Sequence, residues 1–310
     1  MSVAYIFPGQ GSQYAGMGKD LADNFPPARK VFEEADDALG LSLSSLCFEG
    51  PAEQLQLTEN TQPAILATSI AALRALEAEG FPKPDFVAGH SLGEYSALVA
   101  ARALSLADAV RTVRLRGRYM QEAVPVGVGA MAAVMGAALS DIQRICATAS
   151  EGEVCAPANI NSANQVVIAG NATAIDRAIE LLKGAGARRV VKLNVSAPFH
   201  CALMMPAQER LSVDLADLEF RDLSVGLVTN SDAAIINTGS DARAALIKQV
   251  ASPVRWLESI ELLISNGVDT FVEVGPGKVL SGLMRQISRE VKCINVEDSA
   301  SLGAARSGLA

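Results

Sequence analysis

The chain has 310 residues, of which 50% are apolar and 19% are charged, and its formal net charge at pH 7 is −8. This length and apolar content are enough for a well-buried core, which excludes a disordered or fibrous protein. The acidic balance argues against a broad basic surface, so we expect no nucleic acid partner.

Short apolar runs alternate with amphipathic helical stretches, which is typical of an α/β protein with a largely parallel sheet. Proline, serine and glycine punctuate the helical stretches where helices commonly start or stop. We predict strands at Val3–Phe7, Phe86–Gly89 and Thr270–Val274, and helices at residues 63–80, 105–123 and 253–267. Residues 299–310 are predicted to form a loose tail.

The middle of the chain has a different order of elements. Residues 125–194 predict strand, helix, strand, strand, helix and strand, which is the ferredoxin-like unit. The strands are predicted at residues 130–135, 154–159, 166–169 and 189–195, and the helices at residues 140–150 and 173–184. We therefore predict two domains: an inserted ferredoxin-like subdomain at 125–194 and a larger α/β domain made of 1–124 and 195–310.

The sequence carries little indication of membranes, metals or disulfides. Its first residues lack the basic start and long apolar segment of a secretory signal. The longest uncharged apolar stretch, at residues 129–139, falls well short of the roughly 20 residues that span a bilayer. The five cysteines are odd in number and have no metal-ligand spacing. We therefore expect a cytoplasmic protein with free thiols, no membrane contact, no metal and no bound cofactor.

The strongest local signal for chemistry is the run Gly89-His90-Ser91-Leu92-Gly93, between a predicted strand and a helical stretch. It matches the G-x-S-x-G nucleophile elbow, in which a tight turn exposes the serine hydroxyl and the glycines remove side chains that would clash. An ordinary glycine-rich turn is the alternative. The strand before the run and the helix after it favour Ser91 as a nucleophile.

A serine hydroxyl needs a base within hydrogen-bond distance, and the chain has only two histidines. Because neighbouring side chains point apart, we expect His90 to pack or make polar contacts beneath the turn. His200 is then the base by elimination, the alternative being a structural histidine. No Asp or Glu stands out as its orienting partner, and a backbone carbonyl could serve equally well. Cys201 suggests a rival Cys–His pair, but its adjacency to His200 favours a small buried side chain.

An elbow enzyme takes one oxyanion donor from the residue after the nucleophile and another from a separate loop. The first would be the N–H of Leu92. The second is expected from Gln10, in the turn after the first strand, because Gly9 and Gly11 allow its N–H to face inward. A phosphate-binding loop is the competing interpretation, but the dinucleotide and P-loop fingerprints both fail in this sequence.

The helix predicted after Ser105 carries four arginines. At about 100° per residue, Arg111, Arg114 and Arg118 share one face, which we interpret as solvated. Arg116 projects roughly 140° from Arg111, toward the apolar side, where a guanidinium needs an anionic partner. That partner is either a substrate carboxylate held by two hydrogen bonds or a structural Asp or Glu.

Together these segments resemble the malonyl-CoA:acyl carrier protein transacylases, the acyltransferases of bacterial fatty acid synthesis, which are related to polyketide synthase acyltransferase domains. The resemblance covers essentially the whole chain. It is carried by Phe7-Pro8-Gly9-Gln10-Gly11-Ser12-Gln13, Gly89-His90-Ser91-Leu92-Gly93-Glu94-Tyr95-Ser96-Ala97, Arg114-Leu115-Arg116-Gly117-Arg118, Gly129-Ala130-Met131, the His200 segment and Glu273-Val274-Gly275-Pro276-Gly277.

The resemblance implies that the larger domain is α/β-hydrolase-like and that a Ser–His pair performs the chemistry. Ser91 would be acylated and His200 would be its base. The N–H groups of Gln10 and Leu92 would hold the oxyanion. The backbone carbonyl of Gln249 would orient His200.

On the substrate side, the resemblance implies that Arg116 binds the malonyl carboxylate. Phe199 is bulky and directly precedes His200, and in related acyltransferases a Phe at this place accompanies a preference for malonyl groups. A core aromatic that anchors the loop is the alternative. The implied reaction is a ping-pong transfer from malonyl-CoA, through a malonyl-serine ester, to the phosphopantetheine thiol of acyl carrier protein.

Two other functions remain open from the residues. A serine thioesterase or another serine hydrolase would use the same elbow, and water exclusion is not readable from sequence. A non-enzymatic docking subunit is the second alternative, which the intact set of Ser91, His200 and Arg116 disfavours.

Carrier protein is acidic, so we expect it to dock on a local basic surface of this acidic chain. Residues 125–194 hold six basic and five acidic side chains. Four of the basic residues lie near the end of that segment, and we predict that carrier protein docks there. The alternative is that these residues are only a solvated run of charges. They are Lys183, Arg188, Arg189 and Lys192. We expect the protein to be a monomer.

Overall fold

The computed structural model describes residues 2–195 and 197–309. Its strands in chain order are β1 (Val3–Phe7), β2 (Phe86–Gly89), β3 (Gly129–Met135), β4 (Cys155–Ser162), β5 (Gln165–Asn171), β6 (Arg189–Lys192), β7 (Gly226–Val228), β8 (Ile235–Ile236), β9 (Thr270–Val274) and β10 (Lys292–Val296). Its α-helices are α1 (Lys19–Asn24), α2 (Pro26–Leu39), α3 (Leu43–Glu49), α4 (Ala52–Leu55), α5 (Thr58–Ala78), α6 (Gly93–Ala100), α7 (Leu106–Glu122), α8 (Leu139–Ser150), α9 (Ala172–Gly184), α10 (Met205–Ala216), α11 (Gly239–Gln249), α12 (Trp256–Ser265), α13 (Val279–Ile287) and α14 (Ser299–Leu309).

The larger sheet has the strand order β10-β9-β1-β2-β7-β8. Its neighbouring strands are parallel except for β7 and β8. Tyr5 and Phe7 face one core cluster with α2, α5 and α7, whereas Ala4 and Ile6 face a second cluster with α12 and α13. Helices on both faces explain why β1 is an uninterrupted apolar run rather than an alternating one. The predicted α/β fold with a largely parallel sheet is confirmed.

The smaller sheet is antiparallel throughout and has the order β4-β5-β3-β6. Helices α8 and α9 cover one of its faces and form a separate core cluster with it. The order of its elements is the predicted ferredoxin-like one, although β6 ends at Lys192 rather than at residue 195. The division of the chain at 125–194 into a distinct domain stays a prediction, and Ser196, beside one boundary, lies outside the described residues.

Two helices begin at residues other than those predicted. Helix α5 starts at Thr58 and contains Pro63, because its first turn packs on α7, where a Cβ on Gly117 would lie 2.6 Å from the carbonyl oxygen of Thr58. Helix α12 starts at Trp256 rather than at residue 253. The segment before it is held extended by β4, since the N–H of Val254 donates to the Ala158 carbonyl at 2.8 Å. In both places tertiary contacts override the local proline signal.

The predicted loose tail is wrong: residues 299–309 form α14. The carboxylate of Asp298 accepts the N–H of Ser301 at 2.7 Å, which satisfies one of the donors left free at the start of the helix. Leu302 and Ala305 are buried in the main core. Burial of this apolar stripe holds the segment in a helix. Ala310, the last residue of the predicted tail, lies outside the described residues.

Candidate active site

Ser91 occupies the tight turn between β2 and α6 and has a left-handed backbone with φ of 52°. The glycines on either side are required by close approach. A Cβ on Gly89 would lie 1.9 Å from the carbonyl of Gly93, and a Cβ on Gly93 would lie 2.1 Å from the carbonyl oxygen of Phe7. A left-handed backbone conformation costs free energy for a residue with a side chain, so it persists at Ser91 only because the surrounding structure holds it.

Asn230 supplies that support from the end of β7, the strand next to β2. Its Oδ1 accepts the N–H of Ser91 at 2.6 Å, and its Nδ2 donates to the carbonyl of Gly89 at 2.6 Å. The side chain is completely buried. Sequence reasoning missed Asn230, and the only signal for it was a polar residue at the carboxyl end of a short strand.

The structure brings Ser91 and His200 together: the Ser91 Oγ lies 2.7 Å from the His200 Nε2. On the other side of the ring, Nδ1 lies 3.0 Å from the backbone oxygen of Gln249. Since a carbonyl only accepts, Nδ1 carries the proton and Nε2 is left to accept from the serine. Burial, with help from the nearby Arg116 cation, lowers the pKa of His200 to about 3, which keeps the imidazole neutral.

His90 has the packing and polar role expected for it. Its Nε2 lies 2.9 Å from Oδ1 of Asn161, and its ring packs at a tilt against Trp256 with 5.5 Å between centroids. Burial lowers the pKa of His90, so this ring is also neutral. It therefore supports the turn from beneath.

Gln10 and Leu92 follow the ends of β1 and β2, which are parallel neighbours, so both residues lie at the same edge of the sheet. The loop after β1 is pressed on the elbow, since a Cβ on Gly9 would lie 2.4 Å from the carbonyl oxygen of His90. Within residues 2–195 and 197–309, neither the Gln10 nor the Leu92 backbone N–H has a hydrogen-bond acceptor. Two unpaired donors beside a nucleophile are what an oxyanion hole needs.

Arg116 is 2% exposed and points its guanidinium at the nucleophile. Its Nη2 donates to the Ser91 Oγ at 3.1 Å and to the side-chain oxygen of Gln249 at 2.8 Å. Its Nη1 donates to the side-chain oxygen of Gln62 at 2.8 Å, and its Nε has no partner. Among the described residues it forms no ion pair with a carboxylate, so no structural Asp or Glu of the kind considered from the sequence contacts it directly.

The other arginines of α7 are arranged nearly as predicted. Arg111 and Arg118 are exposed and form weak surface ion pairs with Asp108 and Glu122, at 3.7 and 3.8 Å. Arg114 is half-buried instead of fully solvated, and its Nη1 is buried without a partner.

The reacting groups open into a cavity of about 1190 Å³ that is lined from both sheets. Phe199 lies in its wall and also packs on the cores beneath both sheets, so its part in the choice of acyl group stays a prediction. The smaller sheet contributes Met131, Asn159, Asn161, Gln165 and Val167 to the lining. This volume is large enough for an extended ligand.

Three of the predicted docking residues lie in or directly before β6, the edge strand of the smaller sheet, and the fourth, Lys183, lies near the end of α9. Arg188 and Arg189 are exposed, whereas Lys183 and Lys192 pair with Glu180 and Asp176 at 2.8 and 2.5 Å. The residues that directly follow β6, 193–195, line the cavity. The basic edge thus leads into the wall of the site.

No helix in residues 2–195 or 197–309 combines the length and the apolarity needed to cross a bilayer. The same residues contain no group of three or more His, Cys, Asp or Glu side chains placed to hold a metal ion.

The chain matches known proteins along nearly its whole length. A family model described as an acyl transferase domain matches residues 4–308. The malonyl CoA-acyl carrier protein transacylase of Bacillus subtilis is 50% identical over 297 residues, 96% of this chain and 93% of that protein. The Escherichia coli K12 protein of the same name is 46% identical over 302 residues, 97% of this chain and 98% of that protein.

Solved structures agree with these relatives. The malonyl CoA-acyl carrier protein transacylase of Coxiella burnetii has a TM-score of 0.98 and 43% identity, covering 100% of this chain and 98% of that one. A malonyl-transacylase solved in complex with a type II PKS acyl-carrier protein has a TM-score of 0.97 and 45% identity, covering 99% and 100% of the two chains. The chain therefore belongs to the acyl transferase domain family, among the malonyl CoA-acyl carrier protein transacylases.

Proposed function

We propose that this protein transfers the malonyl group from malonyl-CoA to the phosphopantetheine thiol of acyl carrier protein. The proposal rests on the groups that surround the hydroxyl of Ser91. The Ser91 Oγ lies 2.7 Å from a neutral imidazole and 3.1 Å from a buried guanidinium. A nucleophile, its base and a cation that can receive a carboxylate therefore meet at a single point.

In the first half-reaction, the Ser91 Oγ attacks the thioester carbonyl of malonyl-CoA while the His200 Nε2 takes its proton. The N–H groups of Gln10 and Leu92 hold the negative charge that develops on the carbonyl oxygen. The C–S bond then breaks, and the CoA sulfur leaves with the proton from His200. The product is a malonyl ester on Ser91 and free CoA.

The second half-reaction runs the same steps with the other thiol. His200 takes the proton of the phosphopantetheine thiol, and the sulfur attacks the ester carbonyl of malonyl-Ser91. The ester C–O bond breaks and His200 returns the proton to the Ser91 Oγ. Malonyl carrier protein leaves, and these steps use only side chains and backbone donors of this chain, with the CoA thioester as substrate.

Arg116 gives the site its preference for a carboxylated acyl group. Its present partners are a hydroxyl and two amide oxygens, so the buried cation has no negative charge in direct contact. A malonyl carboxylate would supply that charge and could use the unpaired Nε. An unsubstituted acyl group brings no such charge, and a general thioesterase has no use for this cation.

The names of the relatives support transfer to a carrier protein over the thioesterase alternative. One related malonyl-transacylase was solved in complex with a type II PKS acyl-carrier protein. The Bacillus subtilis and Escherichia coli relatives are named as malonyl CoA-acyl carrier protein transacylases. The docking residues, a monomeric state and a cytoplasmic location stay predictions.

The Ser91→Ala variant tests the nucleophile. Mass spectrometry after mixing wild type with malonyl-CoA should show one malonyl adduct on Ser91, and the variant should show none while keeping its melting temperature. Cys201→Ala is the matched control and should keep the adduct. An adduct on Cys201 in the wild type would contradict the assignment.

The hydrolase alternative is tested with the wild type. We expect malonyl-CoA to be consumed at an appreciable steady rate only when carrier protein is present, with malonyl carrier protein as the product. Steady release of free malonate at the same rate without carrier protein would favour a hydrolase instead.

A further inference from the structure

Glu94 is a buried carboxylate next to the site that takes no part in the steps above. It lies in α6, three residues after the nucleophile, and is 1% exposed. Burial raises the pKa of Glu94 to about 7, while its hydrogen bonds and the nearby Arg116 cation act in the opposite direction. A buried carboxylate is costly to keep, so its contacts require an explanation.

Both contacts of Glu94 lead to residues that hold the reacting groups. Its Oε2 accepts the side-chain N–H of Gln249 at 2.8 Å and the backbone N–H of Asn230 at 3.0 Å. Asn230 holds the backbone of Ser91. Gln249 holds Arg116 through its side chain and His200 through its backbone carbonyl.

The side chain of Gln249 can be oriented in two ways, and the choice decides what Arg116 meets. In the structure Oε1 accepts from Arg116, while Nε2 donates to Glu94 and to the carbonyl of Ser91, the latter at 2.9 Å. The opposite orientation would place an NH₂ group against the guanidinium, donor against donor. It would also place an amide oxygen against the carboxylate of Glu94, acceptor against acceptor.

We propose that Glu94 is a positioning residue: its acceptor oxygen fixes the orientation of the Gln249 amide and thereby holds the Arg116 guanidinium where the acyl carboxylate must bind. The inference rests on the proposed function, because it concerns the residue proposed to choose malonyl over acetyl groups. Glu94 itself touches neither the substrate nor the reacting atoms. The path through Gln249 to Arg116 is therefore read in the choice of acyl group, whereas a loss passed through Asn230 to Ser91 would lower malonyl and acetyl transfer alike.

Two substitutions of nearly equal shape separate this role from a purely structural one. Glu94→Gln keeps an oxygen that can accept from Gln249 and Asn230, whereas Glu94→Met fills the same space without an acceptor. We expect Glu94→Met to lower the ratio of malonyl to acetyl kcat/KM by about tenfold or more, the size of one lost hydrogen bond to a charged group. Glu94→Gln should keep that ratio within about threefold of wild type, because its amide oxygen can still accept the hydrogen bond from Gln249.

A buried carboxylate elsewhere provides the matched control. Glu273 is fully buried and accepts the backbone N–H groups of Leu280 and Ser281 at 2.9 and 2.8 Å, and among the described residues it has no hydrogen bond to Gln249 or Asn230. Glu273→Met should lower the melting temperature and leave the malonyl to acetyl ratio unchanged. If Glu94 were only structural, its Met variant would behave in the same way.

Coupling to Gln249 completes the test. Because Glu94 acts through that amide, Glu94→Met should not lower the malonyl to acetyl ratio further in a Gln249→Met background. Gln249→Met alone should show the same fall in that ratio, which keeps the test available if Glu94→Met does not fold. An unchanged ratio in folded Glu94→Met or in Gln249→Met would overturn the inference, and so would an equal loss in Glu94→Gln. A wild type that transfers neither acyl group would instead refute the proposed function.

Discussion

The two sides of the cavity differ in charge. The lining residues between positions 126 and 195 are all neutral within the part of the chain that the structure describes, among them Asn159, Asn161 and Gln165. The lining from the rest of the chain contains the nucleophile, the base and the buried cation. The reacting groups and the charge thus lie on one wall, while the other offers amides and apolar side chains for binding.

Two arginines, one lining the cavity and one in a helix that covers the smaller sheet, show why this matters. Arg177, in α9, pairs with Glu153 at 2.7 Å and with Glu151 at 3.4 Å, so its charge is already compensated. Arg116 is more deeply buried, yet its hydrogen-bond acceptors are neutral amide and hydroxyl oxygens. A buried guanidinium without a carboxylate beside it can take one from a substrate, and a paired one cannot do so as readily.

The largest expected effect comes from Arg116→Ala. Leaving the malonyl carboxylate without its partner costs about 2–5 kcal/mol, or roughly 30- to several-thousand-fold in malonyl kcat/KM. Transfer of an acetyl group, which has no carboxylate, should be spared or improved. The measurement is kcat/KM for both acyl-CoA substrates in the folded variant.

Arg177→Ala is the control for this variant, since it removes a paired arginine that does not line the cavity. It should weaken the fold without changing the preference between the two acyl groups. A parallel fall in malonyl and acetyl transfer by Arg116→Ala would show that Arg116 does not bind the acyl carboxylate. The proposed difference in charge between the two walls would then have no role in the choice of substrate.

The next effect concerns pH and the wall that carries the base. The folded pKa of His200 is lowered to about 3, so the imidazole stays neutral in acid where an exposed histidine would be protonated. At pH 5 a histidine of ordinary pKa, about 6.5, would be only about 3% neutral. Such a histidine would lose about 25-fold of its neutral form between pH 7 and pH 5, and we expect the rate of Ser91 acylation by malonyl-CoA to fall by much less than that.

Stopped-flow measurement of acylation from pH 5 to pH 8 checks this. The same lowered pKa makes the stability contributed by this group fall as the pH drops below 6.5, because the unfolded chain binds the proton more readily. Circular dichroism at each pH should therefore confirm that the protein is folded. A rate that declines with a midpoint near pH 6.5 would show that His200 is solvated.

A smaller effect is expected where the loop before His200 meets the cavity. Phe199→Ser opens space in the wall beside the acyl group, so transfer of methylmalonyl relative to malonyl should rise by about tenfold, the lower end of the effect of one methylene in an apolar pocket. Phe220→Ser is the control, since Phe220 is also a partly buried aromatic on the main core but does not line the cavity. An unchanged ratio in folded Phe199→Ser would show that Phe199 only anchors the loop.

The smallest effect is expected at the outer edge of the smaller sheet. Changing both Arg188 and Arg189 to Glu should raise the KM for carrier protein by several-fold at low salt, because exposed charges mainly affect encounter. The half-reaction with malonyl-CoA should not change. Arg144→Glu, an exposed basic residue of the same segment, is the control. Normal carrier-protein kinetics in the double variant would exclude this edge as the dock.

Much of the frame is readable from sequence because its signals are local. The strands at Val3–Phe7 and Phe86–Gly89 are apolar runs bounded by turn residues, and the structure has them at the same residues. The elbow is equally local, since glycines at fixed spacing are needed wherever backbones approach this closely. The base could be chosen by elimination only because the chain has two histidines.

The contacts that complete the site are invisible in the sequence because they join distant residues. Asn230 reaches Ser91 across 139 positions, and Gln249 reaches Glu94 across 155. Packing partners far along the chain likewise decide where α5 and α12 start. Burial against the main core makes residues 299–309 helical rather than loose.

From sequence alone, the helical period placed Arg116 on the apolar side of its helix but left its partner undecided. Only the tertiary structure decided that, because a guanidinium pairs with whichever oxygens the folded chain brings within about 3 Å. Here the fold brings two amide oxygens and the nucleophile itself, and among the described residues no carboxylate.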